Sequence, residues 1–194
     1  MIHDEAYWTD RYLHQQTQWD IGYISTPLKA YFDQLTQKNK KILIPGCGNA
    51  YEAAYLHGQG FTEVFLVDIS SRPLEAFSKK YPSFPATHLV HGDFFELNDT
   101  YDLIVEQTFF CALHPSERQP YAEKMHALLS PGGRVVGVLF EDELFKDHPP
   151  YGGDRKEYEN YFLPYFEFHV FERCYNSIKP RAGRELFINL AKKN

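Results

Sequence analysis

Residues 42–70 read ILIPGCGNAYEAAYLHGQGFTEVFLVDIS, and this stretch decides the fold. It begins with a continuous apolar run that ends at Gly46 and Gly48, continues through a helical pattern, and closes on a second apolar run that ends at Asp68. A continuous apolar run followed by glycine is typical of a strand buried on both faces of a parallel sheet. Strand, helix and strand within about 30 residues is the size of a βαβ unit. The stretch therefore predicts strands at 41–45 and 63–67, with a helix over 49–59 between them.

The same alternation continues on both sides of this unit. Thr26 followed by Pro27 has the pattern of a helix start and predicts a helix over 26–37. Further helices are expected at 72–80, 116–129 and 154–163, and further strands at 86–91, 101–106, 134–140, 166–174 and 184–191, with a turn at 130–133 before the fifth strand. Alternating elements predict an α/β fold with a doubly wound, mostly parallel seven-stranded sheet and helices on both faces. The last two strands are joined by a short turn, so we expect the C-terminal strand to be antiparallel.

Length and composition limit the function classes. A chain of 194 residues suits a single domain over 1–194, in which one domain holds both cofactor and substrate. A net charge of -6 argues against a nucleic-acid surface, which needs clustered Lys and Arg. No run approaches the roughly 18 apolar residues of a membrane span, and the polar N-terminus lacks the pattern of a secretory signal. We expect a cytoplasmic monomer.

The cysteines also favour a reducing, cytoplasmic setting. Three of them, widely spaced and without a CxxC pair, favour neither a disulfide framework nor a zinc site, so a reducing compartment and no bound metal are expected. They are Cys47, Cys111 and Cys174.

Gly46, Gly48 and Asp68 are the first candidate ligand-binding residues. Ligands of doubly wound sheets bind at the carboxyl ends of the strands, where the strand order reverses. Glycine there permits a tight turn and a close approach of the backbone. Asp68 follows the second strand, where a carboxylate can accept hydrogen bonds from both ribose hydroxyls. The alternatives remain open that the glycines form an ordinary strand-to-helix turn and that Asp68 caps the next helix, since Ser70 and Ser71 follow it.

A nucleotide bound there is either NAD or S-adenosylmethionine (SAM). The dinucleotide fingerprint has a third glycine that lets helix and strand pack closely near the pyrophosphate. Tyr51 stands in its place here. SAM has no pyrophosphate, so the pattern favours SAM.

Two further strand ends carry candidate residues. At the third strand, Asp93 can accept from the exocyclic amine of an adenine, and Phe94 can offer an apolar face or a backbone donor. The alternative is a Gly-Asp turn with two core phenylalanines. At the fourth strand, Gln107 and Phe109 lie where cofactor and substrate would meet.

Five segments, taken in order, resemble the motifs of class I SAM-dependent methyltransferases, in particular the thiopurine S-methyltransferase superfamily with its thiol and halide methyltransferase branch. They are IPGCGNAYEA at 44–53, VDIS at 67–70, GDFF at 92–95, TFFCAL at 108–113 and LSPGG at 129–133. The resemblance implies a Rossmann-like methyltransferase fold, SAM as cofactor, and a small methyl acceptor such as a thiol, hydrosulfide, halide or thiopurine.

The resemblance also implies an N-terminal arm over 1–24 that covers the cofactor. Trp8, Tyr12 and Trp19 match the aromatic residues of that arm, although the family more often has Trp at the position of Tyr12. SAM is a sulfonium cation, and an aromatic face attracts a cation by about 0.5–2 kcal/mol when water is excluded. The alternative is that the two tryptophans only anchor the arm.

Other positions are carried over from the same resemblance. Ile69 and Gln107 are expected beside the cofactor, with Gln107 standing where the family often has Tyr. Tyr151 matches a tyrosine on the substrate side and is expected to orient the substrate, while Phe109 is expected to contact the substrate from its position after the fourth strand. Arg181 resembles part of a C-terminal segment that lines the substrate side, and the alternative is a solvated turn.

A thiolate, hydrosulfide or halide is already anionic, so no general base is expected. A base role is therefore not assigned to His88, His91, His114, His148 or His169. Two other functions stay open from the residues alone: a nicotinamide-dependent oxidoreductase of small molecules, and a SAM-binding protein without turnover.

Overall fold

The computed structural model describes residues 3–194 and contains a seven-stranded sheet. The strands are β1 (Ile42–Pro45), β2 (Val64–Asp68), β3 (Leu89–His91), β4 (Tyr101–Gln107), β5 (Leu129–Phe140), β6 (Phe166–Arg173) and β7 (Glu185–Lys192). The helices are α1 (Glu5–Leu13), α2 (Thr26–Phe32), α3 (Tyr51–Gly58), α4 (Ser71–Lys80), α5 (Arg118–Ala127) and α6 (Arg155–Phe162).

The strand order is β3-β2-β1-β4-β5-β7-β6. Strands β1 to β5 are parallel, and β7 runs antiparallel to both β5 and β6. The chain first moves outward from β1 to β3 and then returns to place β4 on the other side of β1. The carboxyl ends of β1 and β4 are thus the point where the order reverses, and a crevice is expected there. The predicted mostly parallel sheet and antiparallel C-terminal strand are confirmed.

Side chains alternate between the two faces of the sheet and form two cores. On one face, Ile42 and Ile44 of β1 pack with the apolar residues of α2, α3 and α4. On the other face, Leu43 belongs to the core built with α5 and α6. A strand buried on both faces must be apolar throughout, which accounts for the uninterrupted apolar run of β1. Helices on both faces are confirmed.

Several element ends differ from the prediction. The helix predicted over 26–37 stops at Phe32, because the amides of Gln34 and Leu35 bond to carbonyls three residues back and close the last turn tightly. The helix predicted from 49 begins at Tyr51, because Ala50 has a φ of +52° and cannot belong to a right-handed helix. Residues 86–88 form a short 3-10 turn, so that the strand begins only at Leu89.

The expected turn at 130–133 lies inside β5. Leu129 pairs with Tyr101, and pairing resumes between Arg134 and Leu103, so the intervening residues bulge out of the ladder. Pro-Gly-Gly has the chemistry of a turn, yet here it lets the strand continue past an interruption. The helix predicted over 116–129 is shorter than expected, at Arg118–Ala127.

The N-terminal arm packs over the carboxyl ends of β2 and β3. Thr9 Oγ1 lies 2.8 Å from Ser70 Oγ, and Glu5 Oε1 lies 2.9 Å from His91 Nε2. Helix α1 begins at an N-cap in which the Tyr7 amide donates to the Asp4 carboxylate at 3.0 Å. Residues 1 and 2 of the predicted arm lie outside the described residues. Across residues 3–194, none of the helices has the length and apolar character needed to span a bilayer.

Candidate active site

A cavity of about 830 Å³ lies between the arm and the carboxyl ends of the strands. Clefts of about 300–1,000 Å³ are the usual size of small-molecule sites. Among the residues predicted from the sequence, its walls include Trp8, Tyr12, Trp19, Gly46, Gly48, Asp68, Ile69, Phe94, Gln107, Phe109 and Arg181. Residues separated by more than 170 positions therefore meet at one site.

The loop after β1 forms the floor of the cavity. Gly46 and Gly48 have φ values of +55° and +51°, in the left-handed region that favours glycine. A Cβ at Gly46 would lie 2.3 Å from Cδ2 of Phe109, so the Phe109 ring rests directly on the Gly46 backbone. Gly46 is therefore favoured by its φ and by the Phe109 contact, whereas Gly48 is favoured by its φ and has only the Tyr12 hydroxyl, 3.2 Å away, near the place of a Cβ.

Gly46→Ala is expected to destabilise the protein by about 2 kcal/mol, since a left-handed conformation alone costs a residue with a Cβ roughly 1–2 kcal/mol. The Phe109 ring must also move away. Urea unfolding would measure the loss. Gly60→Ala is the matched control: Gly60 also has a positive φ but has open space around it, so its smaller loss isolates the steric contribution. Equal losses in the two variants would contradict the close packing of Phe109 on Gly46.

Asp68 joins the ends of β1 and β2. Its Oδ2 accepts the Gly48 amide at 3.0 Å and its Oδ1 accepts the Ser70 amide at 2.9 Å. Each carboxylate oxygen has a second lone pair for a ligand hydroxyl. Burial raises the pKa of Asp68 to about 6. The carboxylate thus orders the start of α4, as the capping alternative proposed, and still has acceptor capacity toward the cavity.

Gln107 supplies an unpaired acceptor at the end of β4. Its Oε1 is buried and has no hydrogen-bond partner within residues 3–194. A buried acceptor left unpaired costs about 1–3 kcal/mol, so a ligand that donates an N–H there would remove the cost. SAM carries an amino group and ribose hydroxyls, and the donors and acceptors around Gln107 and Asp68 fit those groups.

The aromatic residues of the arm pack edge to face above the glycine loop. The Trp8 and Trp19 rings are 5.6 Å apart at 83°, and the Tyr12 and Trp19 rings are 6.0 Å apart at 89°. The Tyr12 hydroxyl would lie 3.2 Å from a Cβ at Gly48, which places Tyr12 over that loop. Burial raises the pKa of Tyr12, so the hydroxyl stays neutral. These contacts anchor the arm and also cover the cavity.

Two contacts fix the segment that carries Trp19. Arg181 Nη2 donates to the Trp19 carbonyl at 2.7 Å, and the Tyr51 hydroxyl donates to the Asp20 carboxylate at 3.1 Å. Tyr51, which stands where a dinucleotide site would have its third glycine, thus holds the arm. The alternative of a solvated turn at Arg181 is wrong, because the side chain is buried. Its other nitrogen pairs with the buried Glu185 at 3.3 Å.

Arg181→Lys is expected to loosen the arm while the protein stays folded. Lysine keeps the charge beside Glu185 but lacks the fork that reaches the Trp19 carbonyl at the same time. Losing that hydrogen bond would cost about 1 kcal/mol, seen as a roughly fivefold weaker SAM affinity in calorimetry. Arg173→Lys, at an exposed ion pair with Glu141, is the control. Unchanged SAM affinity in Arg181→Lys would show that the arm is not held this way.

The sequence analysis did not identify Glu106. The side chain is fully buried at the end of β4; its Oε1 accepts the amides of Phe109 and Phe110 at 2.8 and 3.0 Å, and its Oε2 accepts the Tyr121 hydroxyl at 2.5 Å. Burial raises the pKa of Glu106 to about 7. It shapes the turn at Thr108, whose φ is +59°. The available signal was a carboxylate placed directly after the apolar run Leu103–Val105, at the carboxyl end of the strand.

Arg118 was also missed, although it is 1% exposed. Its Nη1 lies 2.6 Å from Glu157 Oε1, and its Nη2 donates to the Gly152 carbonyl at 2.7 Å. The guanidinium also lies 5.0 Å from the centre of the Phe110 ring. Arg118 thereby ties the segment before α6 to the loop after β4. Its position in an otherwise ordinary helix start offered no signal.

Two predicted residues do not line the cavity. The Asp93 carboxylate accepts the Phe95 amide at 2.8 Å, as the alternative of a Gly-Asp turn suggested. Tyr151 is 2% exposed, and its hydroxyl is 2.8 Å from Nε2 of His3, which does line the cavity. Their cofactor and substrate roles stay predictions. Within residues 3–194, no group of three or more His, Cys, Asp or Glu side chains is arranged to hold a metal.

Residues 3–187 match the model of the family described as Thiopurine S-methyltransferase (TPMT). The chain is 32% identical over 177 residues to "Probable thiol methyltransferase 2" of Arabidopsis thaliana, covering 87% of this chain and 77% of that protein. It is 30% identical over 191 residues to "Thiocyanate methyltransferase 1" of Brassica oleracea, covering 94% and 83%. These matches extend over nearly the whole chain.

Solved structures show the same fold. A Burkholderia thailandensis 1,6-didemethyltoxoflavin-N1-methyltransferase, crystallised with 1,6-didemethyltoxoflavin and S-adenosylhomocysteine, superposes with a TM-score of 0.77. The superposition covers 98% of this chain and 87% of that one, at 20% sequence identity. The confirmed architecture is therefore that of the Rossmann-like methyltransferases.

Proposed function

The chain belongs to the thiopurine S-methyltransferase family and is a SAM-dependent methyltransferase, and from this premise we propose that its methyl acceptor is a small soft nucleophile: a thiol, hydrosulfide, halide or thiopurine. The observation that carries the proposal is the mainly apolar wall that residues 140–150 add to the cavity: five apolar residues, Phe140, Leu144, Phe145, Pro149 and Pro150, beside two polar ones, Asp147 and His148. Large, weakly hydrated sulfur and halide nucleophiles lose less hydration free energy on entering such a surface than a small, strongly hydrated oxygen anion does. The names of the thiol and thiocyanate methyltransferase relatives support the same class.

We propose that the loop after β1 and the end of β2 hold the ribose of SAM. The Asp68 carboxylate accepts the two ribose hydroxyls, and the backbone at Gly46 and Gly48 approaches the cofactor closely. Gln107 Oε1 accepts from a nitrogen of the cofactor, which would pair its buried oxygen. Ile69 and Phe94 enclose the adenine. Asp93 lies outside the cavity lining and accepts the Phe95 amide through Oδ1, so only its Oδ2 is left to accept from the adenine amine in this proposal.

The aromatic arm covers the reacting centre in this proposal. Bound SAM supplies an electrophilic methyl group on a cationic sulfur. Trp8, Tyr12 and Trp19 offer ring faces to that charge and exclude water from it. Methyl transfer is an in-line displacement, so the main task of these residues is alignment of the two reactants.

On the acceptor side, we assign Phe109 to direct contact, because its ring lines the cavity between Gly46 and the apolar wall. Arg181 is better described as a positioning residue, because its donors are engaged by Trp19 and Glu185. Tyr151 is the residue proposed to orient the acceptor side, through the contact of its hydroxyl with His3.

Membership of this family rules out the nicotinamide-dependent alternative and makes a SAM-binding protein without turnover a poor description. We propose in addition that the protein is a cytoplasmic monomer with no nucleic-acid partner. The free thiols of Cys47, Cys111 and Cys174 and the net charge of -6 support this. Light scattering after gel filtration would measure the oligomeric state.

A panel of acceptors tests the proposed acceptor class. Purified protein with SAM is offered iodide, thiocyanate, hydrosulfide, benzenethiol and 6-mercaptopurine, and in parallel an alcohol, an amine and a phenol. The rate of S-adenosylhomocysteine formation is measured for each. We expect turnover with at least one soft acceptor and kcat/KM at least about 100-fold lower for every hard acceptor, equal to about 2.7 kcal/mol. Preference for an oxygen or nitrogen acceptor would contradict the proposal.

A further inference from the structure

His3 and Tyr151 form a hydrogen-bonded pair at the edge of the cavity, and the methyl transfer described so far gives the His3 imidazole no chemical role. His3 Nε2 lies 2.8 Å from the Tyr151 hydroxyl, across 148 positions of sequence. His3 lines the cavity, while Tyr151 is almost completely buried behind it. A histidine oriented by a buried hydroxyl resembles the orientation of a general base by a second residue.

Tyr151 is held rigidly. Its amide donates to the Cys111 carbonyl at 2.7 Å, and the His114 ring packs edge-on against it at 5.4 Å. Arg118 binds the carbonyl of the next residue, Gly152, at 2.7 Å. The hydroxyl that meets His3 therefore has a fixed position.

The second ring nitrogen of His3 is available. The imidazole packs against Tyr7, with ring centres 4.4 Å apart, and against the edge of Trp8 at 6.3 Å. Nε2 faces Tyr151, and Nδ1 makes no hydrogen bond with any residue of the described part of the chain. When Nε2 carries the proton and donates to Tyr151, Nδ1 has a free lone pair.

We propose that His3 is the proton acceptor for neutral thiol acceptors, with Nδ1 taking the S–H proton and Tyr151 holding the ring through Nε2. This inference rests on the proposed function, because it concerns how the same site handles one class of soft acceptor. A cysteine-like thiol has a pKa of about 8.5 and is mostly protonated at pH 7. Iodide and thiocyanate are anionic throughout and need no base.

The step balances with the groups present. The S–H bond of the thiol breaks and its proton moves to His3 Nδ1, while the sulfur electron pair forms a bond to the methyl carbon and the bond from that carbon to the cofactor sulfur breaks. The products are a neutral methyl thioether, neutral S-adenosylhomocysteine and a His3 imidazolium cation with a proton on each ring nitrogen. The positive charge of the cofactor has passed to the imidazole, which releases its proton to water when the site opens.

The charges around His3 suit a base that is neutral before the reaction. Burial is the largest cause that lowers the pKa of His3, and His114 and Arg11 lower it further. Glu117 and Asp4 act in the opposite direction.

The pKa of Tyr151, the hydrogen-bond partner of His3, is also changed by its surroundings. Burial raises the pKa of the Tyr151 hydroxyl, as do Tyr7, Asp147 and Glu117, so the phenol remains neutral. His3 is therefore unprotonated at neutral pH, and its neutral partner can accept the Nε2 proton.

The role of His3 is tested by comparing a thiol acceptor with iodide in the His3→Gln variant. The kcat/KM for 2-mercaptoethanol and for iodide is measured from pH 5.5 to 9 in wild type, His3→Gln and the control His57→Gln, whose residue contacts Ser83 away from the site. We expect the thiol-to-iodide ratio of kcat/KM at pH 7 to fall about 100-fold in His3→Gln, the scale of general-base catalysis, and not to fall in His57→Gln. A fall of less than threefold in His3→Gln would overturn the inference.

The pH profile supplies the second criterion. In wild type, thiol turnover should rise to a plateau by about pH 7, because the base titrates below its usual value near 6.5. In His3→Gln it should instead follow the thiolate and rise tenfold per pH unit from pH 6 to 8. Tyr151→Phe should move the thiol-to-iodide ratio in the same direction by a smaller factor.

Other outcomes distinguish a failure of the His3 proposal from a failure of the proposed function. Equal losses with thiol and iodide in His3→Gln would show that His3 only supports the arm, and would overturn the inference alone. A wild-type protein that binds SAM and methylates neither acceptor, nor any other soft acceptor, would instead contradict the proposed function. Thermal unfolding of each variant shows that the comparison is made on folded protein.

Discussion

Asp68→Ala is expected to weaken SAM binding about 100-fold or more, measured by calorimetry at pH 7.5. The variant loses the acceptor for the ribose hydroxyls and also the two backbone contacts that join the β1 loop to the start of α4. Hydrogen bonds to a charged group contribute about 1.5–3 kcal/mol each, and 100-fold in affinity is about 2.7 kcal/mol. Both the contact with the cofactor and the shape of its loop depend on this carboxylate.

Asp99→Ala is the matched control. Asp99 is half-exposed and pairs with Lys41 at 2.6 Å, at the amino ends of the strands and away from the cavity. Its removal should change the SAM affinity by less than twofold. If Asp68→Ala bound SAM as tightly as Asp99→Ala, Asp68 would have no place in the cofactor site.

SAM affinity should also depend on pH through Asp68. The pKa of the carboxyl is raised to about 6 by burial in the free protein, and the ionised form is the better acceptor for two hydroxyls. Lowering the pH from 7.5 to 5 protonates the carboxyl and should weaken SAM binding about tenfold, the limit for one proton over one pH unit below that pKa. Calorimetry over this range would measure it. The same dependence in Asp68→Asn would assign it to another group.

Glu106→Ala is expected to lower the free energy of unfolding by about 4 kcal/mol. The change leaves the amides of Phe109 and Phe110 and the Tyr121 hydroxyl buried without an acceptor, at about 1–3 kcal/mol each. A cavity at the end of β4 adds to the loss. Urea unfolding monitored by far-UV circular dichroism would measure it.

Glu106→Gln separates hydrogen bonding from volume. The amide keeps one acceptor oxygen for Phe109 and Phe110, so a loss well below that of Glu106→Ala is expected. Glu167→Ala, at an exposed position of β6, should change the stability by less than about 0.5 kcal/mol. If Glu106→Ala were as stable as Glu167→Ala, the carboxylate would not organise the loop.

The free energy of unfolding should also depend on pH through Glu106. The pKa of Glu106 is raised to about 7 in the folded protein, against about 4.3 in an unfolded chain. Between these values the folded state binds more protons, so the contribution of Glu106 falls as the pH rises from about 4.3 to 7. Wild type should therefore lose more stability than Glu106→Gln between pH 5 and 8.

The elements that the sequence predicted well are those whose pattern follows directly from burial. An uninterrupted apolar run such as β1 admits few other structures, and parallel strands bring their carboxyl ends to one edge. Gly46, Gly48 and Asp68 could therefore be placed together before any coordinates. The end of α2 at Phe32 could not be predicted, because Leu35 continues the apolar spacing beyond the last helical turn.

The roles of residues that contact a partner far away in sequence could not be predicted from the sequence pattern. Arg181 was expected on the substrate side, with a solvated turn as the alternative, and neither reading predicts its hydrogen bond to the Trp19 carbonyl, 162 positions away. Glu106 and Arg118 act through buried donors and acceptors that no spacing rule specifies. His3 belongs to the site only because the arm folds back over the strands, and the direction of an arm is set by tertiary contacts alone.

Methyl transfer from SAM to a soft nucleophile in the cavity beneath the arm can be followed in a single-turnover experiment. Excess protein is mixed with SAM labelled in its methyl group and with thiocyanate, iodide or a thiol, and the label is followed by mass spectrometry. We expect the label to appear in the methylated acceptor in a one-to-one ratio with S-adenosylhomocysteine, and at least about 100-fold more slowly in Asp68→Ala. Labelled SAM that is bound and left unchanged with every one of these soft acceptors would show that the proposed transfer does not take place.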